Sequence, residues 1–329
     1  MRIEIFGGSG FIGTRLCHRL ALRNDVKFKI IDKVISHDFP SNSEISDIRY
    51  AINPRLISNS QVIINLAAEH RDDVSPLNLY DEVNVGGARN ICELAKSQGI
   101  NKIIFTSSVA VYGFAPLDTN ESGLIAPFND YGRTKWEAEE VYKQWQAEDT
   151  QRRTLVIIRP TVVFGEGNRG NVFNLFRQIT SGKFIMIGDG LNRKSVAYVE
   201  NVAAFLEYSL AFKAGVHIYN YVDKPDFTMR ALVQYVNKLL GGNGKIKFRL
   251  PFWIGLLIGS TFDLVSKITG KKFPISAIRI KKFCANSVYA SGVESTDFSP
   301  PVSLMRAIEK TIYFEFIESN KSHQVFYSE

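Results

Sequence analysis

With 329 residues, 45% of them apolar and 22% charged, the chain has ordinary globular usage and length for a full α/β core in one or two domains, which excludes a fibre or a disordered protein. A formal charge of +7 and a pI near 9.2 favour polyanionic neighbours such as diphosphates, acidic membrane surface or nucleic acid. The lysines and arginines form no long basic block and no helix-turn-helix or zinc-finger pattern, so no nucleic-acid partner is expected, and the scattered Cys17, Cys92, Cys284 and five histidines predict reduced thiols and no metal.

The chain opens directly on a strand, MRIEIF. That leaves no room for a charged segment followed by an apolar leader, and a cytoplasmic protein is expected. A helix from about Phe11, the strands FKIID and VIINLAA, a helix through Val83 to Gln98 and the strand KIIFTSS follow. β-branched runs alternating with helical patterns predict a Rossmann-type, doubly wound parallel sheet. A helix from about Tyr131 to Ala147 leads into LVIIRP, and the alternation then fades. VHIYNYV, at 216–222, reads as a strand returning to the sheet. The expected organisation is a dinucleotide-binding domain over 1–163, rejoined by 195–222, and a smaller discontinuous substrate lobe from 164–194 and 223–329. No repeat or low-complexity linker is present. The most apolar run, LPFWIGLLIGSTF from Leu250 to Phe262, is shorter than the roughly 20 residues of a spanning helix and is broken by glycine.

IEIF runs into GGSGFIG, which places Gly7, Gly10 and Gly13 at a strand-to-helix turn with Phe11 and Ile12 opening the helix. Glycines there permit a tight turn and close approach to a pyrophosphate, and the helix N-terminus offers free N–H groups. The pattern alone is weak, but the next strand ends in Asp32, 19 residues beyond Gly13. An acid at that point can hold ribose hydroxyls and would repel a 2′-phosphate, so NAD is expected over NADP, with Lys33 softening the preference.

Ser108 follows the strand in FTSSVAVYG, and Tyr131 and Lys135 stand in YGRTK. Four residues apart on a helix, the tyrosine and lysine share a face. The ammonium group, with a positive nicotinamide, is expected to draw the phenol's pKa down from about 10 toward working pH. A phenolate can take the proton of a sugar hydroxyl while hydride leaves the same carbon, with Ser108 bonded to that oxygen. An isolated YxxxK is usually a surface coincidence; after a glycine-rich turn and a serine-bearing strand it is not.

GGSGFIG, Asp32, NLAA at 65–68, FTSSVAVYG, YGRTK, IIRPTVVFGEGNRGN and AYVEN together resemble the extended short-chain dehydrogenase/reductases, the NAD-dependent nucleotide-sugar epimerases and dehydratases, from residue 3 to about 202. The resemblance implies catalysis by Ser108, Tyr131 and Lys135, the last two also meeting the cofactor. It implies Leu66, Ala67 and Ala68 beneath the cofactor, Asp47 and Ile48 beside the adenine, and Asn84 supporting the site. The family's 4,6-dehydratases carry an acidic pair directly after the serine; Val109 and Ala110 stand there instead, so epimerisation or carbonyl reduction remains. Epimerisation returns hydride to the opposite face and consumes no cofactor.

AAEHRDDVSP, RGNVFNLFRQI, NRKSVAYVEN, YNYVDKPD and KITGKK with KKFCA are similar, over nearly the whole chain, to the bacterial undecaprenyl-diphospho-N-acetylglucosamine 4-epimerases. These interconvert N-acetylglucosamine and N-acetylgalactosamine on a polyprenyl diphosphate for surface polysaccharides such as O-antigen. The resemblance implies a lipid-linked amino sugar as substrate and a homodimer joined through the helices near 86–98 and 131–147. Asn171 matches a substrate-touching position, Arg169 and Lys194 are cationic candidates for the diphosphate, and His70, Ser107, Arg71 and Asp72 are placed to face the sugar. The apolar segment 250–272, with Phe252 and Trp253 at its start and Lys267, Lys271, Lys272, Arg279, Lys281 and Lys282 nearby, suits contact with anionic lipid on the inner face of the membrane; a buried hairpin or a dimer contact would give the same pattern. The rival expectations are a soluble UDP-N-acetylhexosamine 4-epimerase, an NAD(P)H-dependent 4-keto-sugar reductase, and a non-catalytic NAD(P)-binding sensor, which would commonly have lost the Tyr/Lys pair.

Overall fold

The computed structural model describes residues 1–57, 59–71, 74–246, 248–270, 276–318 and 324–327; Asp72, Lys271 and Lys272 lie outside them. In chain order the first part comprises β1 (Arg2–Phe6), α1 (Phe11–Ala21), β2 (Lys27–Asp32), β3 (Ser43–Ile45), β4 (Val62–Asn65), α2 (Gly87–Ser97), β5 (Lys102–Thr106), α3 (Asp130–Ala147) and β6 (Thr154–Pro160). Then come β7 (Val162–Phe164), α4 (Asn171–Thr180), β8 (Ile185–Ile187), β9 (Arg193–Tyr198), α5 (Val199–Tyr208), β10 (Gly215–Tyr221), β11 (Asp223–Thr228) and α6 (Met229–Leu239). The remainder holds β12 (Phe248–Leu250), α7 (Phe252–Thr269), α8 (Ala277–Cys284) and α9 (Leu304–Ile312).

Seven strands form one parallel sheet in the order β10-β6-β5-β4-β1-β2-β3. Every residue of β4 and β6 is buried, as strands covered by helices on both faces require. Leu16 and Leu20 of α1 join Phe205 of α5 in the core on one face. Ile91 and Leu94 of α2 and Tyr142 and Trp145 of α3 fill the other. The chain winds outward from β1 through β2 to β3, then reverses through β4, so a crevice opens beyond the carboxyl ends of β1 and β4. Ligands of such sheets bind at that reversal.

The doubly wound sheet is the one the sequence implies, and the strand read at 216–222 is its edge strand β10, paired with β6. The rest of 195–222 divides differently. β9 lies between β7 and β11 in a separate three-stranded sheet, while α5 packs against α1. Around that small sheet, α4, α6 and α9 enclose a third core containing Phe176, Met186, Leu232 and Ile308.

α7 is longer than the apolar run that announced it. It has 18 residues and a mean hydropathy of 1.3, about 27 Å at the helical rise, the lower limit for crossing a bilayer. Only Gly255 and Gly259 are buried: added Cβ atoms there would lie 2.8 Å from Ile187 and 2.7 Å from the Ala277 backbone. The small-residue edge therefore packs on β8 and α8, while Trp253, Leu257 and Ile268 are 67%, 63% and 75% exposed.

One buried polar network ties the sheet to α3. The Arg159 guanidinium of β6 donates to both Glu139 carboxylate oxygens at 2.9 and 2.5 Å and to the Tyr112 hydroxyl at 2.6 Å. Ser107, directly after β5, donates to Glu139 at 2.5 Å, and Tyr112 donates to Asn220 of β10 at 2.8 Å. Arg159 and Glu139 are 1% and 0% exposed, so removing one leaves an uncompensated buried charge. Arg159→Met should lower unfolding free energy by about 3–5 kcal/mol in denaturant melts. Adding Glu139→Leu should recover part of that loss.

Candidate active site

β1 ends in the glycine turn and β4 ends in Asn65, and the sheet sets the two exits side by side. Gly7 has φ +75°, and a Cβ there would stand 2.5 Å from the Ala67 nitrogen, so only glycine allows the NLAA turn to close on this loop. Asn65 shapes the turn by accepting the Ala67 N–H at 3.1 Å while donating to the Tyr142 hydroxyl at 2.8 Å; the Leu66 N–H donates to the Phe6 carbonyl at 2.8 Å. Gly10 caps α1 without a side chain, and the first turn carries no acidic residue. The opening amides around Phe11, Ile12 and Gly13 are thus left for an external acceptor, the arrangement that suits a pyrophosphate.

Asp32 accepts the Ser9 N–H at 3.1 Å. Burial raises its carboxyl pKa, opposed by the amides of Ser9, Lys33 and Val34, so added hydroxyl donors would stabilise its charge. Asp47 and Ile48 follow β3 close by, where the Ser46 N–H donates to the Asp32 carbonyl at 2.9 Å. The Arg49 guanidinium beside Asp47, at 2.7 Å, holds that carboxyl below the usual range. Ile48 is buried, and its carbonyl accepts from Asn90 of α2 at 2.8 Å. This uncapped glycine cradle with an acid at the tip of the second strand fits a dinucleotide bearing free ribose hydroxyls.

α3 begins at an Asn129 cap that accepts the Gly132 N–H at 2.9 Å, and it carries Tyr131 and Lys135 on one face. Gly132 makes this placement feasible: a Cβ there would lie 2.4 Å from the Ala110 carbonyl oxygen, so the helix presses directly on the turn that holds Ser108. The Ser108 side chain hydrogen-bonds Tyr131 and also accepts the Ala110 N–H at 3.1 Å. Lys135 is 2% exposed, its ammonium group 4.2 Å from the Phe105 ring centre.

Asn84 locks this helix to the NLAA exit from a π-helical turn, Asp81–Gly86, a distortion frequent at functional sites. Its amide donates to the Thr134 hydroxyl at 2.9 Å and the Glu69 carbonyl at 3.0 Å, while its oxygen accepts the Glu69 N–H at 2.9 Å. Next to it, His70 has its pKa lowered, by desolvation first and by the positive Lys135 and Arg71 to a lesser degree.

Burial pushes the Tyr131 phenol above its ordinary pKa, with Ser108 opposing, and pushes Lys135 down to about 7. In both groups desolvation is the largest influence, whereas the expected acidification of the phenol concerns the site with the positive nicotinamide beside it.

The remaining expected contacts separate. Ser107 is buried and committed to Glu139. Arg169 pairs with Glu315 at 2.8 Å and lies over Phe173. Asn171 begins α4. Lys194 donates to the Lys282 carbonyl at 2.9 Å and is pushed down to about 8 by burial. The sequence reading missed Asn65, Thr134, Glu139 and Gly132; the glycine inside YGRTK was the visible signal, whereas the polar partners fall in no spacing pattern. Among the described residues no cluster of three or more His, Cys, Asp or Glu is placed to hold a metal.

For Lys135 the sign of pH linkage follows from a folded pKa near 7 against about 10.5 in the unfolded chain. Between these values the unfolded chain binds more protons, so the lysine's penalty is full below pH 7 and disappears as pH rises toward 10. Lys135→Met should be more stable than the parent at pH 6.5, and the difference between their denaturant midpoints should shrink steadily to pH 10.

The description "NAD dependent epimerase/dehydratase family" matches residues 3–221. The chain is 46% identical, over 99% of its length and 99% of the relative's, to the N-acetyl-alpha-D-glucosaminyl-diphospho-ditrans,octacis-undecaprenol 4-epimerase of Escherichia coli O157:H7. It is 29% identical to the UDP-glucose 4-epimerase of Vibrio cholerae, over 82% of this chain and 85% of that one. The solved UDP-glucuronic acid 4-epimerase from Bacillus cereus, in complex with NAD, superposes with a TM-score of 0.74 at 20% identity, covering 95% of this chain and 98% of that one. With motif order, sheet topology and full-length similarity in agreement, the chain belongs to the NAD dependent epimerase/dehydratase family.

Proposed function

We propose that this protein is an NAD-dependent 4-epimerase that interconverts N-acetylglucosamine and N-acetylgalactosamine on undecaprenyl diphosphate, supplying a sugar for surface polysaccharide. The observation that carries this reading is the 46% identity extending across 99% of both chains, including the α7–α8 region beyond the family match at residue 221. The 4-epimerase relatives that act on UDP-sugars favour a second reading, a soluble nucleotide-sugar epimerase.

Bound NAD supplies a reversible hydride acceptor. The chain's own part is proton handling. Ser108 holds the sugar oxygen and Tyr131 takes its proton, then returns it when the hydroxyl is restored. Lys135, when protonated, stabilises the phenolate, and a further positive charge in the site would add to that stabilisation. His70, kept neutral, is assigned to the sugar, with Asn171, and Lys194 to the diphosphate; Arg169 would first have to leave Glu315.

The proposed workplace is the inner face of the cytoplasmic membrane. The exposed apolar side of α7, with the basic Lys267, Arg279 and Lys281 near it, supports interfacial docking. α2 and α3 are assigned as the dimer surface.

Purified protein given prenyl-diphospho-N-acetylglucosamine should yield the galacto epimer without net NAD reduction, read by separating the hexosamines after acid release; conversion of the UDP-sugar alone would contradict the lipid-linked reading. Tyr131→Phe should lower turnover by about 10³-fold or more, within the range for a lost acid–base group, with NAD content unchanged. Trp253→Asp with Leu257→Asp should weaken sedimentation with phosphatidylglycerol vesicles about tenfold or more, and unchanged binding would exclude α7 as the docking face.

A further inference from the structure

The exposed side of α7 adjoins a cavity that the reaction at Tyr131 does not use. Ile187 at the end of β8, Phe252 at the start of α7 and Cys284 at the end of α8 form its apolar wall; Asn192 and Lys281 supply its polar side, together with Asp189. The surrounding charge is positive. The Asp189 backbone carbonyl accepts from the Arg230 guanidinium at 3.0 and 2.5 Å and from Arg249 at 3.0 Å, so two guanidinium groups stand behind the cavity edge that Asp189 and Lys281 line. A site with one basic side and one apolar side selects a ligand built the same way.

A run of contacts joins this cavity to the catalytic helix. Lys282, beside Lys281 on α8, places its ammonium group 4.5 Å from the Phe128 ring centre, and Phe128 stands three residues before Tyr131. The Lys282 carbonyl accepts from Lys194 at 2.9 Å, and the Phe283 carbonyl accepts from Asn192 at 2.8 Å, which fixes α8 against the loop leading into β9. Phe128 packs on Phe114 at 4.8 Å, both rings exposed to solvent. Phe128, just before α3, thus meets Lys282, the neighbour of the cavity-lining Lys281, and Phe252 carries the cavity wall on to α7.

We propose that the cavity between β8, α7 and α8 seats the first isoprene units of the lipid carrier, with the carrier's diphosphate between Lys194 and the Lys281 edge of the cavity and the remaining chain leaving along α7. This assignment rests on the lipid-linked reading above and adds to it where the tail lies. A nucleoside, the other plausible extension of a sugar diphosphate, would leave the Ile187–Phe252 wall facing a polar group without hydrogen-bonding partners on that side.

Cys284 provides the test, since it lines the cavity and is partly exposed, whereas Cys17 and Cys92 are buried. Alkylation of the intact protein by N-ethylmaleimide at pH 8, followed by mass spectrometry, therefore reports on the cavity. Farnesyl diphosphate at about ten times its dissociation constant should slow labelling of Cys284 about tenfold, inorganic pyrophosphate should not, and Phe252→Asp should abolish the protection. Equal protection by pyrophosphate or UDP, no protection by farnesyl diphosphate, or protection that survives Phe252→Asp would overturn the proposal. Turnover of prenyl-linked sugar by the same preparation without protection would remove only the cavity assignment; turnover of UDP-sugar alone would remove the lipid-linked reading itself.

Discussion

The placement of a lysine side chain where only 2% of it meets solvent is the constraint on which the rest of the site depends. An ammonium group so buried loses much of its hydration, and no carboxylate lies close enough to cancel the loss: Glu139 raises the Lys135 pKa only as a secondary influence against desolvation, its carboxylate being engaged by Arg159. The Tyr131 phenol one turn away meets the same penalty in the opposite sense, since burial disfavours its anion. Each charge is costly where it stands, and an opposite charge brought close to either would relieve it. The protonation of both groups is thus governed by burial and responds to any charge entering the site.

That poise is maintained by parts with no contact to a substrate. The Arg159–Glu139 pair fixes α3 against β6, and Ser107 draws the end of β5 to the same carboxylate, setting Ser108 one residue further along. Gly132 lets the helix approach the Ser108 turn, and Asn84 joins the far side of the helix to the loop after β4. These contacts hold α3, β5, β6 and the loop after β4 in one arrangement near Tyr131, the pre-organisation that the proposed proton transfer would require.

Much of this was legible in the sequence because it follows from periodicity and from turns that demand glycine. The β-branched runs gave the strands, the glycines at 7, 10 and 13 gave the cofactor turn, and the four-residue spacing gave the common face of Tyr131 and Lys135. The substrate lobe was less legible. Short strands such as Ile185–Ile187 and Val162–Phe164 are too brief to show a period, and β9 joins partners far away in the chain. The motif singled out Ser108 but also set Ser107 toward the sugar; the fold shows the Ser107 hydroxyl committed to Glu139 and that of Ser108 meeting Tyr131. The sign of the tyrosine's pKa shift was also beyond the sequence, because it depends on how much water reaches the pair.

α7 illustrates the opposite relation. Its composition was plain, yet the run LPFWIGLLIGSTF suited a buried hairpin as well as a surface helix. The fold separates them, for the glycine edge is spent on α8 and β8 and the large apolar side chains remain outside. A helix exposing such a surface beside cations is costly in water unless something apolar covers it.

The most direct measurement is a titration of Tyr131 by NMR with ¹³C-labelled tyrosine, its signal assigned through Tyr131→Phe, in cofactor-free protein and after loading with NAD⁺. The account predicts a pKa above the ordinary phenol value of about 10 without cofactor, a fall on loading, and a smaller fall in Lys135→Met. A phenol already ionised near neutral pH without cofactor, or one whose titration loading leaves unchanged, would contradict it.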